Sequence, residues 1–562
     1  MGPALCLILA AGCSGTRGSP DGVDRAAARV ADQTEARRDA NALTVVAEIA
    51  LERGDCRTAS ETYAAAAAMG DVAVAKRASA VASGCEHLPA AWDAVKRWRS
   101  LAPADQEAAA LYATVALKLY RIPEARSAVG SVVQAAGAEP DEKIAGLTAL
   151  LLEEADASAV LAAVGGALDN SSASAPVLAL MAELALEAYD VKRAEQYARL
   201  ALKRDPASYD AKRIIARTYV MRGDATNAIS AAREAMRSGA ERGTFDLVET
   251  LAALDHMEEA RHELERLRTS GTMPEEVARR LAVLAYQGGD FDEAQRRFTE
   301  LVTEGQATDS ALLFLADIAA RDGDADAAIA GYRRLANSSL AVPARVRAAA
   351  LLLARNDRAE ALTLLDDYAA ENPKASFDIS IRKANLLADN GENDTALALL
   401  ASALERHPGH PALEYDRAVL LEKGGSIAES VAALEKMLGD RAEDPTLLNA
   451  LGYTLADHDL ELQRAETLIR RALQSMPDNP AVLDSLGWVR FKRGDLREAQ
   501  ATLQRAYNLS HDAEIAAHWG EVLWKSGSQQ QARQVWAAAL ARNPDSDPLK
   551  EILARFVPPE KP

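Results

Sequence analysis

The stretch LDSLGWVRFKRGDLREAQATLQRAYNLS, residues 483–510, decides the fold. Its first half places Leu483, Leu486 and Gly487 at helical spacing, so one face of a helix is apolar. Gly494 and Asp495 then interrupt it. Glycine tolerates the left-handed conformation that ends a helix, and aspartate accepts from the free amides that open the next. In the second half, Ala499 is followed four and seven residues later by Leu503 and Ala506, again on one face. Two amphipathic helices, A and B, follow each other through a tight turn. Neither buries its stripe alone, so the pair needs neighbours.

The neighbours are in the sequence. The small residue recurs at Ala59, Ala91, Ala125, Ala159, Ala194, Ala228, Ala260, Ala294, Ala328, Ala361, Ala396, Ser430, Ala465, Ala499 and Ala532, with steps of 32 to 35 residues. Five residues before it stands Gly54, Gly223, Gly289, Gly323, Gly391, Gly425, Gly494 or Gly527 in eight units, and Asp255 or Asn356 in two more. Asp55, Asp224, Asp290, Asp324, Ser426, Asp495 and Ser528 follow as expected N-caps of helix B. Pro103, Pro206, Pro373, Pro408, Pro477 and Pro544 stop helix B twelve residues after the small residue. The units around Ala159 and Ala260 lack the glycine and read as the weakest. A period near 34 matches the tetratricopeptide repeat. The expected fold is all-α: a right-handed superhelical solenoid of about fifteen tetratricopeptide helix pairs over 41–545, with a C-terminal cap helix and tail at 546–562.

Composition agrees. Apolar residues make up 49% and aromatics only 5% of the 562 residues, which suits closely stacked helices rather than strands. Sixty-four basic against 83 acidic side chains leave a net charge of −19, which repels phosphate backbones and argues against nucleic acid as a partner. No HExxH, P-loop, GxSxG or catalytic Cys-His context appears, and none of the four cysteines forms a CxxC pair. The expectation is a protein that is not an enzyme and has no cofactor, metal or small-molecule substrate. Arg-Gly-Asp occurs at 53–55, 222–224 and 493–495, each time at the register of the inter-helix turn, and is read as turn plus N-cap.

The first twelve residues are a short apolar run ending in small residues, too short to span a bilayer, and they read as an export signal. Leu9-Ala10-Ala11-Gly12-Cys13 resembles the bacterial lipobox, although no Lys or Arg precedes the run and Ala10 replaces the usual Leu. That resemblance makes Cys13 the lipidated residue, and Ser14 after it implies the outer membrane. The alternative is a cytosolic protein with an apolar N-terminal end. Residues 13–40, rich in Gly, Ser, Asp, Arg and Ala, read as a lipidated cysteine and flexible tether. Cys56 and Cys85 lie at the A–B turn regions of adjacent repeats. Export favours a disulfide between them; two free buried thiols are the alternative.

Aromatic residues crowd the last repeats. Trp519 and Trp536 fall on packing positions, whereas Tyr453, Trp488, Phe491 and Trp524 fall where this repeat family faces its concave groove. These four are the candidate partner-binding residues; extra packing between helices is the alternative reading. Asp457, Lys492 and Lys525 flank them. The Lys, Asn and Arg pattern of carboxylate-clamp repeats is not in register.

Asn449-Ala-Leu-Gly-Tyr453, Asp484-Ser-Leu-Gly-Trp488 and the segment Glu514 to Trp524, with the repeat layout of the whole mature chain, resemble large tetratricopeptide lipoproteins of the proteobacterial outer membrane. The resemblance implies a scaffold anchored by lipid and facing the periplasm. Its partners would be other proteins: a periplasmic carboxyl-terminal processing protease and the peptidoglycan hydrolases presented to it. An assembly lipoprotein for a pilus, secretin or exopolysaccharide exporter fits the same features. A further alternative is a repeat protein with a hidden enzymatic site or a linked enzyme domain; such a domain would need about 100 residues or more, whereas the repeats are expected to occupy 41–545.

Overall fold

The computed structural model describes residues 39–557 except 136, 138, 139, 307, 373, 374, 544 and 545. Every regular element among the described residues is a helix. The chain divides into two compact units, 1–103 and 104–562.

In the first unit, residues 39–52 and the helices Cys56–Met69, Val72–Gly84 and Leu88–Leu101 make two helix pairs. Ala47, Ala59, Tyr63 and Trp98 are buried between them. Arg77 holds Glu48 through two hydrogen bonds of 2.9 and 3.1 Å, and the Tyr63 hydroxyl donates to the same carboxylate. Cys56, the first residue of its helix, is disulfide-bonded to Cys85, just past the end of the next.

The second unit runs from the helix Gln106–Lys118 to Gln529–Arg542 in alternating A and B helices, closed by Asp547–Phe556. All fifteen small residues of the repeat, from Ala59 to Ala532, have no exposed surface. A larger side chain there would push the paired helices apart. Four and seven residues on, Phe298 and Leu301, Leu400 and Ala403, and Trp536 and Ala539 are buried as the helical period requires.

All eight turn glycines have positive φ, from 71° to 90°. Asp255 and Asn356 adopt the same conformation, and so do Glu86, Tyr120, Tyr189 and Asp459 in units without the glycine. The unit around Ala260 is therefore regular, with Asp255 as its left-handed residue. At the N-caps the outcome divides. Asp55, Asp224, Asp290 and Asp324 accept from the amide three residues on, with ψ between 74° and 76°. Ser426, Asp495 and Ser528 occupy the same place but make no side-chain cap bond; their ψ of 50° to 59° turns the side chain away from that amide. Pro206, Pro408 and Pro477 follow the C-caps of helices that end at Arg204, Arg406 and Ser475; Pro373 and Pro544 lie outside the described residues.

Successive A helices touch: Pro445–Asp457 meets Pro480–Lys492, which meets Ala513–Lys525, which meets Asp547–Phe556. The B helices at this end approach one another less closely, so the A helices line the inside of the curve.

Candidate functional site

In several repeats a side chain of one A helix reaches to the next A helix along the inner wall. Glu183 on Ala175–Glu187 takes Arg213 (2.8 Å) and Arg217 from the following A helix. Asp317 takes Arg347 at 2.7 Å, and Asp389 takes Lys423 at 2.5 Å. Each pair is separated by about one repeat, so opposite charges at matching register positions meet across the helix interface. These exposed pairs contribute roughly 0–1 kcal/mol each and mainly set the register between neighbours.

Towards the C-terminus the bridging groups become aromatic. Glu422 accepts from the Thr454 hydroxyl at 2.9 Å and lies 3.2 Å from His458 Nε2. The Trp488 indole donates to Asp457 Oδ1 at 2.9 Å, and Lys492 Nζ donates to the Asp457 carbonyl at 2.9 Å. His518 Nδ1 donates to the Asp484 carboxylate at 2.9 Å, and its ring stacks on Trp488 with centroids 4.2 Å apart. Tyr453 completes the cluster, its ring 6.4 Å from His518.

Burial works against a charged imidazole at His518. The carboxylates of Asp484, Glu514 and Asp457, and the hydrogen bond to Asp484, outweigh it and lift the pKa to about 9. His518 is therefore a cation at neutral pH, held against an indole face. Burial, followed by the charges of Asp457, Glu514, Asp484 and Glu422, pushes the Tyr453 hydroxyl far above the usual phenol range. Glu514 is exposed to water, yet the surrounding protein raises its pKa, as on the floor of a concave surface. Glu187 and Asp416, on two other A helices, are raised for the same reason. None of the three forms a salt bridge among the described residues.

The four expected groove aromatics separate. Tyr453 and Trp488 share the His518 cluster, and Phe491 packs beside Trp488 at 5.2 Å. Trp488 is only 7% exposed, so it is not part of an exposed strip. Its flat ring lies between consecutive A helices, against Asp457 and His518. Trp524 is half-buried away from the cluster, stacked on Trp536 at 5.8 Å and packed against Phe556 at 5.6 Å. Trp519 and Trp536 are buried core residues. Lys525 lies over the Phe556 ring. Sequence reading missed His518, Asp484 and Glu514. The available signal was an acid and a base, Asp484 and His518, one repeat apart on consecutive A helices.

All three Arg-Gly-Asp copies sit at left-handed turns. No group of three or more metal-ligating side chains, and no helix long and apolar enough to cross a membrane, is found among the described residues. Cys13 lies outside them.

The tetratricopeptide repeat model matches residues 180–241, 279–341 and 381–447. The chain carries tetratricopeptide repeats. Over 180 residues it is 33% identical to a TPR repeat-containing protein, PA4667, of Pseudomonas aeruginosa; the match covers 32% of this chain and 30% of that protein. Among solved structures, a thermophilic TPR protein from Thermus thermophilus is 21% identical over 32% of this chain and 98% of its own, with a TM-score of 0.30. The APC/C hetero-tetramer Cut9–Hcn1 is 16% identical over 92% of this chain and 96% of its own, with a TM-score of 0.31. A tetratricopeptide repeat protein from Parabacteroides merdae is 15% identical over 44% and 98%, with a TM-score of 0.33.

Proposed function

We propose that this chain is a non-catalytic scaffold that binds other proteins along the inner wall of its second unit. In this reading a lipid on Cys13 holds it to the bacterial outer membrane, facing the periplasm. The observation that carries the binding half is the state of the inner carboxylates. Several charges of the A helices are paired with the next repeat, whereas Glu187, Asp416 and Glu514 form no salt bridge among the described residues and have raised pKa values, first because of burial. A partner that brings cationic side chains to them gains charge-assisted hydrogen bonds where the water shell is already thinned. The finer reading is an adaptor that brings a periplasmic carboxyl-terminal processing protease and peptidoglycan hydrolases together. It is supported by the sequence resemblance and by the tetratricopeptide repeats themselves, a fold suited to holding proteins.

Affinity purification of the tagged protein from membranes, followed by mass spectrometry, tests the partners. Co-purification of a processing protease and cell-wall hydrolases is the expected result. Recovery of secretin, pilus or polymer-export components without a protease replaces the adaptor with an assembly factor. Radioactive palmitate should label the wild type and not Cys13→Ala; label on both, or on neither, removes the lipid anchor from the proposal.

A further inference from the structure

Two contacts inside the second unit join residues far outside nearest-neighbour range. The Asp478 amide donates to the Tyr189 carbonyl at 2.9 Å, and its Oδ2 accepts from the Val191 amide at 3.0 Å. Arg505 binds the other oxygen of the same carboxylate. Further along, Arg542 pairs with Asp255. Both Val191–Asp478 and Asp255–Arg542 span 287 residues, or about eight repeats. Equal spacing at two independent places identifies one full superhelical turn, with its edge lying against the next. Each contact joins an A–B turn on one side to the end of a helix B, or the loop after it, on the other.

The turn residues at these places depart from the repeat. Eight units use glycine for the left-handed position, yet Tyr189 and Asp255 hold it here with φ of 54° and 64°. Asp255 tolerates that conformation and also supplies the carboxylate that Arg542 needs. Tyr120 is left-handed in an earlier turn; burial first, and then the charges of Asp156 and of Asp444 on the opposing side, raise its pKa. Clefts flank the contacts. One of 430 Å³ is lined by Val191, Arg222, Asp478 and Arg505, and one of 1020 Å³ by Asp255, Tyr286, Arg321 and Arg542. The seam is a few polar fastenings with open space beside them, not a packed apolar interface, so parting it exposes little core.

We propose that Asp478 and the Asp255–Arg542 pair form a clasp that closes the superhelix on itself and controls how far its inner wall opens to a partner. The last clause rests on the protein-binding reading; the clasp itself does not. Exposed charge pairs are weak and screened by salt, which makes the closure reversible.

Small-angle X-ray scattering on the full chain tests the clasp without any partner, so its failure is separate from failure of the binding reading. Asp255→Asn combined with Asp478→Ala should raise the radius of gyration by roughly 10% or more, with unchanged far-UV circular dichroism. In the same variant the Val191 amide should exchange with solvent at least about tenfold faster. An unchanged radius together with unchanged Val191 exchange overturns the proposal. If the double variant loses helicity, Arg542→Gln alone removes one fastening. It should shift the wild-type scattering profile in the same direction, and an unchanged profile again overturns the clasp.

Discussion

Glycines in equivalent helical positions do different work in this chain, and substitution separates them. Gly452 and Gly487, both on A helices, face helix B of their own repeat. A Cβ on Gly452 would meet Ile469 Cγ1 at 2.6 Å, and one on Gly487 would meet Leu503 Cγ at 2.5 Å. Gly520 faces Trp536 in the same way. Gly487→Ala should therefore destabilise the last repeats by about 1–3 kcal/mol, through overpacking. Gly146, exposed in the middle of Pro140–Glu154, has nothing within 4 Å of an added Cβ. Gly146→Ala should stabilise its repeat by about 0.5–1 kcal/mol, because the backbone loses less freedom on folding. Local amide exchange reads both, and equal signs for the two variants would contradict the packing argument. His518 gives a second test. Its pKa rises from an ordinary 6.5 to about 9 in the folded chain. The stabilisation from its proton is thus fully present below pH 6.5 and lost as pH rises through 9. Urea midpoints of the C-terminal repeats should fall over that interval in the wild type. His518→Gln should lack that component, and an equal fall in both means the Asp484–His518 pair is not its source.

At the scale of elements, the helices and their turns were legible because each depends on residues within one repeat. The small residue, its partners four and seven on, and the glycine turn all follow from a few neighbouring positions, and every one lies where the period puts it. Three N-caps departed because cap bonding depends on a rotation of about 20° in ψ that residue type does not report. Trp488 is buried rather than exposed because its burial depends on neighbouring repeats: Asp457 before it and His518 after it cover the ring. In the first unit, the Cys56–Cys85 bond closes a segment with a sequence separation of 29. On the loop-entropy account it stabilises that unit by roughly 3–4 kcal/mol. Cys56→Ser with Cys85→Ser should accelerate exchange in 39–101 and bring forward its proteolysis, while 446–544 is unaffected. Unchanged protection in 39–101 would show that helix packing alone holds the unit.

For the whole molecule, contacts along the solenoid are between neighbours, so stability is distributed rather than pooled in one core. What sequence reading did not reach is the contact spaced 287 residues apart, since superhelical pitch accumulates from small rotations at each of about eight interfaces. The tryptophans expose the consequence. Trp92 and Trp98 sit in the first unit, and Trp488, Trp519, Trp524 and Trp536 in the last repeats, so fluorescence reports the two ends while circular dichroism reports every helix. Long repeat arrays depart from all-or-none unfolding when interfaces between repeats are unequal. Here they are: the C-terminal A helices are tied by buried indole and imidazole contacts, whereas earlier ones meet through exposed ion pairs. Urea unfolding followed by the two signals should give curves that do not superimpose, with fluorescence from the late repeats persisting beyond the main loss of helicity. Asp478→Ala should widen the gap, because the clasp couples the early repeats of the second unit to the late ones. Superimposable curves in the wild type that remain so in Asp478→Ala would mean the array folds as one cooperative body without the clasp, and that the nearest-neighbour account of its stability is wrong.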